Sequence, residues 1–264
     1  MIRRIDWRLL RSSASLLIMG LLIVGLILNP PHRDQAIPEL PVSSVRTSEM
    51  PIFYAGTKEK VMALTFDISW GHETVHKVLP ILEDHRIKAT FFLSGPWSQQ
   101  HEQIVREIAG AGHEIASHGG KHVNLSQYDK ATIQENIGST DEILRKISGQ
   151  QPRYFRPPNG DYDDLVITTA RELGYETVIW SIDSLDWKNP GPEYMIDRVT
   201  REAFPGAIIL FHASDSSKQT HIALPFLFKK LDAMGYRLTT LADLLEKAPA
   251  MRDDPRGRPQ KPNQ

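Results

Sequence analysis

The 264-residue sequence contains no cysteine. Neither a disulfide framework nor a thiolate metal centre can exist, so any cation must be held by nitrogen and oxygen donors. An excess of positive charge is also missing: 31 Lys and Arg against 32 Asp and Glu leave a net charge of −1. The signs are mixed along the chain, which gives nucleic acid no basic face, and without a phosphate-cradling glycine fingerprint a nucleotide partner is excluded as well. Long uncharged apolar runs are absent too, except at the N-terminus.

There, Arg3, Arg4, Arg8 and Arg11 precede an uncharged stretch from Ser12 to Asn29 rich in Leu, Ile, Val and Met. As a helix it would reach roughly 27 Å at about 1.5 Å per residue, close to the hydrocarbon thickness of a bilayer. Arginines before the span and few positive charges just after it predict a single-pass cell-membrane protein whose bulk is extracytoplasmic. A cleaved signal peptide is the competing reading. The run is long for one, and Asn29-Pro30-Pro31-His32 lacks a small-x-small cleavage pattern. We therefore expect a membrane anchor over residues 1–29 and a Pro- and Ser-rich linker over 30–50. A folded domain over 51–247 and a disordered tail over 248–264, which has little to bury, complete the chain.

Within the domain, apolar runs alternate with amphipathic ones. Strands are expected at Val61–Phe66, Ala89–Leu93, His113–Ala116, Tyr154–Phe155, Thr177–Ile179, Ala207–Phe211 and Tyr236–Leu238. Helices are expected at Thr74–Asp84, Gln103–Ala111, Ala131–Ile147, Asp164–Leu173, Glu193–Ala203 and Ala223–Met234, with Gly112, Gly174 and Gly235 placed to stop them. Parallel strands joined by helices follow, in an α/β barrel or a related fold whose working face lies at the strand ends.

Polar residues capable of chemistry stand at those ends. Asp67 follows a strand apolar enough to be buried, where a carboxylate needs a partner or a task; a helix cap would also satisfy it. His118 and His122 are four apart, so one helical turn would bring both imidazoles to one side to share a metal, though two hydrogen-bonded histidines fit as well. Arg156, stiffened by Pro157 and Pro158, is placed to clamp a buried carboxylate through a bidentate contact. Asp183, Asp186 and Trp187 mix acids with an indole, as a sugar cleft does. His212 ends the run Ala207–Phe211. Each has a bland explanation; the ordered series does not.

The order Thr65-Phe66-Asp67, Ser117-His118-x-x-x-His122, Arg156-Pro157-Pro158-x-Gly160, Asp183-x-x-Asp186-Trp187 and Leu210-x-His212 resembles the five motifs of the NodB-homology polysaccharide deacetylases, carbohydrate esterase family 4. The stretches Ala63–Gly71, Phe92–Trp97 and His212–Asp215 are further similar to the PdaB-type deacetylases of spore formers. The resemblance implies a distorted (β/α) barrel and metal-assisted N-deacetylation of an N-acetylated cell-wall glycan, peptidoglycan GlcNAc or MurNAc, in sporulation. It implies that His118 and His122 hold a divalent ion, Zn²⁺ foremost, which polarises the amide carbonyl and a bound water. Asp67 would be the base and Arg156 its orienting partner. His212 would be the acid, tuned by Asp186. A backbone N–H next to Asn159 would hold the oxyanion, and Leu210 and Trp187 would receive the acetyl methyl.

One position departs from the pattern. Where active members carry a second aspartate as third metal ligand, this chain has Ile68, which cannot coordinate a cation. Neighbours along a strand point to opposite faces, so Asp67 cannot take over without giving up its role as base. A catalytically weak or inactive glycan-binding relative is therefore the alternative to a deacetylase.

Overall fold

The structure, a computed structural model, describes residues 50–257. The expected anchor, nearly all of the linker and the last seven residues of the expected tail lie outside the described residues. Among the described residues no helix is long and apolar enough to cross a membrane.

The elements run Tyr54–Ala55 (β1), Val61–Ile68 (β2), Glu73–Asp84 (α1), Thr90–Leu93 (β3), Gly95–Gln100 (α2), Glu102–Gly110 (α3) and Glu114–Ser117 (β4). Then follow Lys130–Ser148 (α4), Tyr154–Phe155 (β5), Asp164–Glu172 (α5), Glu176–Thr177 (β6), Ile182–Asp183 (β7) and Pro192–Glu202 (α6). The series closes with Ile208–His212 (β8), Thr220–Ala233 (α7), Arg237–Thr239 (β9), Leu241–Lys247 (α8) and Ala250–Met251 (β10). The main sheet has the order β6-β5-β4-β3-β2-β8-β7, with β9 beside the start of β2. Every pair in it is parallel. This is the α/β arrangement expected, as an open curled sheet.

All eight residues of β2 are buried, because the strand is covered on both faces. Its two faces serve different layers. Val61 and Ala63 join Phe92, Ala116, Tyr154, Val178 and Ile208 in the cluster inside the curl. Met62, Leu64, Phe66 and Ile68 pack with Val75, Val78, Leu82, Leu224 and Leu227 of the flanking helices. By the two-residue period, Thr65 and Asp67 share the inner face and Ile68 the outer.

Every expected strand and helix is present, and the glycines that end three of the helices, Gly112, Gly174 and Gly235, have φ of 78°, 86° and 81°. Ile133, Ile137, Leu144 and Ile147 form the buried stripe of α4. The tail is a correction: its first residues are part of the domain. Ala250 and Met251 pair antiparallel with Ala55 and Tyr54, and Arg252 binds Glu176 at 2.6 Å and the Met50 carbonyl at 2.8 Å. Backbone pairing orders this segment despite its polar composition.

Close approach explains Gly206. Its φ is 83°, and a Cβ there would lie 1.9 Å from the Ala55 carbonyl oxygen, which accepts no such contact. Gly206→Ala is expected to cost at least about 2 kcal/mol, the left-handed penalty plus the clash. Urea unfolding checks it, and an unchanged midpoint would contradict the packing described.

Candidate active site

The C-terminal ends of β2, β4, β5, β7 and β8 bring the expected residues together. Parallel register sets Asp67 of β2 opposite His212 of β8. Asp67 is 4% exposed, and its Oδ1 accepts from Arg156 Nη1 at 2.7 Å. Burial alone would push this carboxyl up, but Arg156, His118 and His212 outweigh it and hold the acid below its ordinary range.

Arg156 is fully buried, its guanidinium carbon 3.9 Å from the centre of the Phe92 ring. The bidentate clamp expected of it is not formed. Nη1 serves both Asp67 and Thr65 Oγ1, the latter at 2.9 Å, while Nε and Nη2 have no partner among the described residues. Thr65 in turn donates to the Ile209 carbonyl at 2.6 Å, which ties the arginine to β8.

The loop with His118 and His122 is not the helical turn that the spacing suggested. Gly119 has a φ of 73° and turns the chain, and Asn136 of α4 fixes it by accepting from Gly120 N–H at 2.8 Å and donating to the Lys121 carbonyl at 3.2 Å. The two imidazoles still meet, with ring centres 5.4 Å apart. His118 Nδ1 donates to the Arg156 carbonyl at 2.8 Å, because a carbonyl can only accept. Its Nε2 lone pair therefore faces the site, 3.7 Å from Asp67 Oδ2, too far for a hydrogen bond. Burial pushes His118 down to about 4 and also lowers His122, so both rings are neutral donors at neutral pH.

The residues present do not complete a cation site. Two imidazoles are available, Asp67 is held by Arg156, and Ile68 is fully buried on the helix-facing side of β2. Among the described residues no three His, Asp or Glu side chains are arranged to hold a metal.

The second charged pair is complete. Asp186, fully buried, accepts from His212 Nδ1 at 2.8 Å, from His212 N–H at 2.7 Å and from Thr220 Oγ1 at 2.7 Å. Burial opposes a charge on His212, yet Asp186 outweighs it and raises the imidazole above its ordinary value. Asp186→Asn is expected to lower the His212 pKa, read from its ring proton in an NMR titration. An unmoved titration would show that Asp186 does not set it.

Leu210 is buried two residues before His212, whereas Trp187 is 48% exposed. Leu185 and Asn189, with φ of 60° and 50°, bend the chain on either side of the turn that carries Asp186 and Trp187. Asp183 is engaged locally, accepting from Leu185 N–H at 2.8 Å. Asn159 has a φ of 59° and bonds Asn124 at 2.7 Å. The N–H of its neighbour Gly160 donates to the Pro157 carbonyl at 3.0 Å. Thr65, Asn136 and Thr220 were missed from sequence; only Thr65, inside a motif, carried a signal.

A profile of the polysaccharide deacetylase family matches residues 54–178. The uncharacterized protein YlxY of Bacillus subtilis is 33% identical over 213 residues, which cover 81% of this chain and 65% of YlxY. The peptidoglycan-N-acetylmuramic acid deacetylase PdaA of the same organism is 35% identical, with 73% and 74% covered. A peptidoglycan-N-acetylglucosamine deacetylase of Bacillus cereus is 34% identical, with 78% and 96% covered. Among solved structures, BA3943 of Bacillus anthracis, described as a CE4 family pseudoenzyme, superposes with a TM-score of 0.71 at 33% identity over 74% of this chain and 68% of its own. A mutant of BA3943 with restored enzymatic activity superposes with the same score of 0.71 at 34% identity, over 74% and 71%.

Proposed function

The chain belongs to the polysaccharide deacetylase family, carbohydrate esterase family 4, and from that premise we propose that it binds peptidoglycan-type N-acetylated glycan while hydrolysis is crippled. Ile68 carries this reading. It stands where the family's third metal ligand belongs, fully buried among apolar side chains. Loss of an outer-shell partner already weakens metal binding about 10- to 100-fold, and loss of a direct carboxylate ligand is at least as severe. The likeness to a CE4 pseudoenzyme agrees.

A working N-deacetylase is the second reading, and a specific observation favours it: both charged pairs are intact. Asp67, oriented by Arg156, is free at Oδ2 to take a proton from water, and His212, whose pKa Asp186 raises, is set to protonate a departing amine. Leu210 and Trp187 would then receive the acetyl methyl. Binding of N-acetylchitotetraose or peptidoglycan strands, measured beside acetate release with added Zn²⁺, separates the readings. Binding without release supports the first; metal-dependent release that Asp67→Asn abolishes establishes the second.

We also place the domain outside the cytoplasmic membrane, anchored by residues 1–29, on the sequence of that segment alone. A part in spore formation rests only on the likeness of residues 63–71, 92–97 and 212–215 to the PdaB type. Release of the full-length chain from membranes by alkaline carbonate would contradict the anchor.

A further inference from the structure

Trp70 is 44% exposed, yet the loop that holds it is locked. Ser69 N–H donates to Ser214 Oγ at 3.1 Å, the Trp70 carbonyl accepts from Asp215 N–H at 3.3 Å, and the Gly71 carbonyl accepts from Trp97 Nε1 at 2.5 Å. The Asp215 carboxylate receives the N–H groups of His72 and Thr74 at 3.0 and 2.8 Å. Gly71 has a φ of 73°, and a Cβ on it would lie 2.2 Å from that carboxylate. Asp215 therefore sits tight against the chain just after Trp70, and the loop is fixed to the one that carries His212.

A loop fastened on both sides keeps a large apolar ring in water, where exposure forgoes its burial energy. The ring is held edge-on to His122, with centres 5.3 Å apart and planes at 75°. Trp70 thus follows β2 and reaches toward the end of β4, while Trp187, 48% exposed, follows β7 beyond β8. In strand order the two indoles flank the Asp67 and His212 pair. Pyranose rings carry an apolar face of C–H groups on which an exposed indole can stack.

We propose that Trp70 is a sugar-binding wall of the site, its indole stacking on a pyranose ring of the bound glycan beside His122. The inference rests on the glycan reading above and adds to it a residue that sets affinity. Its test is titration of the full chain with N-acetylchitotetraose, by calorimetry and by tryptophan emission, for wild type, Trp70→Ala and Trp70→Phe. Trp70→Ala is expected to raise Kd about tenfold, with Trp70→Phe in between. The part of the emission change that Trp70 contributes is expected to vanish in both variants, leaving that of Trp187. Should Trp70→Ala fail to fold, Trp70→Phe carries the test through the same two readouts. Wild-type affinity and an unaltered emission change in the variants would overturn the assignment and leave glycan binding standing. A wild-type chain that binds neither this sugar nor peptidoglycan strands would remove the glycan reading and the wall with it.

Discussion

Ile68→Asp is expected to make both stability and activity depend on zinc. Without metal, a carboxylate replaces a fully buried side chain of the helix-facing layer. The lost burial and the desolvated charge together cost about 3 kcal/mol or more, so the melting temperature falls. The family pattern puts this carboxylate with His118 and His122, which requires it to leave the helix-facing layer at the strand end; zinc binding would then return about 2.7 kcal/mol when zinc stands at a hundred times its Kd. Acetate release should rise at least about 10- to 100-fold over wild type, the size of the defect assigned to this position. Thermal melts with and without zinc, beside an acetate assay, check both halves. A variant whose melting ignores zinc and whose release matches wild type would show that residue 68 is not what limits the site.

The second large effect is expected at Arg156. Arg156→Met keeps most of the volume and the contact with Phe92 but leaves Asp67 buried without its cation. Removing one partner of a buried pair costs about 3–5 kcal/mol. For a domain of this size that lowers the melting temperature by about 6–20 °C. The cost should depend on pH. In wild type, the depressed Asp67 pKa contributes stability above the unfolded value of about 3.9, lost as pH falls through the lower folded value. In the variant, burial acts unopposed by Arg156 and raises the same carboxyl, so the penalty is present at neutral pH and relieved by protonation. The gap between the two proteins therefore narrows as pH falls from 7 toward about 4. Urea unfolding at both pH values measures it; a gap that stays constant would mean that lost packing, not the unpaired carboxylate, sets the cost.

How much of this was legible in the sequence depended on period and length. Long amphipathic helices such as Lys130–Ser148 and apolar strands such as Val61–Ile68 announce themselves. Two-residue strands such as Ile182–Asp183 are too short to show a period, and the six-residue helix Gly95–Gln100 spans less than two turns. The strand Ala250–Met251 is ordered by backbone pairing, which composition does not display.

The members of the site could be read because motif order names them; their local geometry could not. Spacing suggested that His118 and His122 share a helical turn, whereas the positive φ of Gly119 produces the same convergence from a loop. A strand apolar on both faces hides which side each residue takes, so the packing of Ile68 against the helices emerged only with the two core layers. Thr220 reads as filler in sequence and Thr65 only as the start of a motif, yet each hydroxyl binds one of the site's two charged pairs.

The central claim is that the lost ligand at position 68, with the proton-transfer pairs intact, separates this protein from a working deacetylase. Acetate release from peptidoglycan strands by the wild-type chain, stripped by chelation and then given Zn²⁺, tests it most directly. The account predicts no metal-dependent release from a preparation that still binds the strands. Zinc-restored release that disappears in both Asp67→Asn and His118→Ala would contradict it.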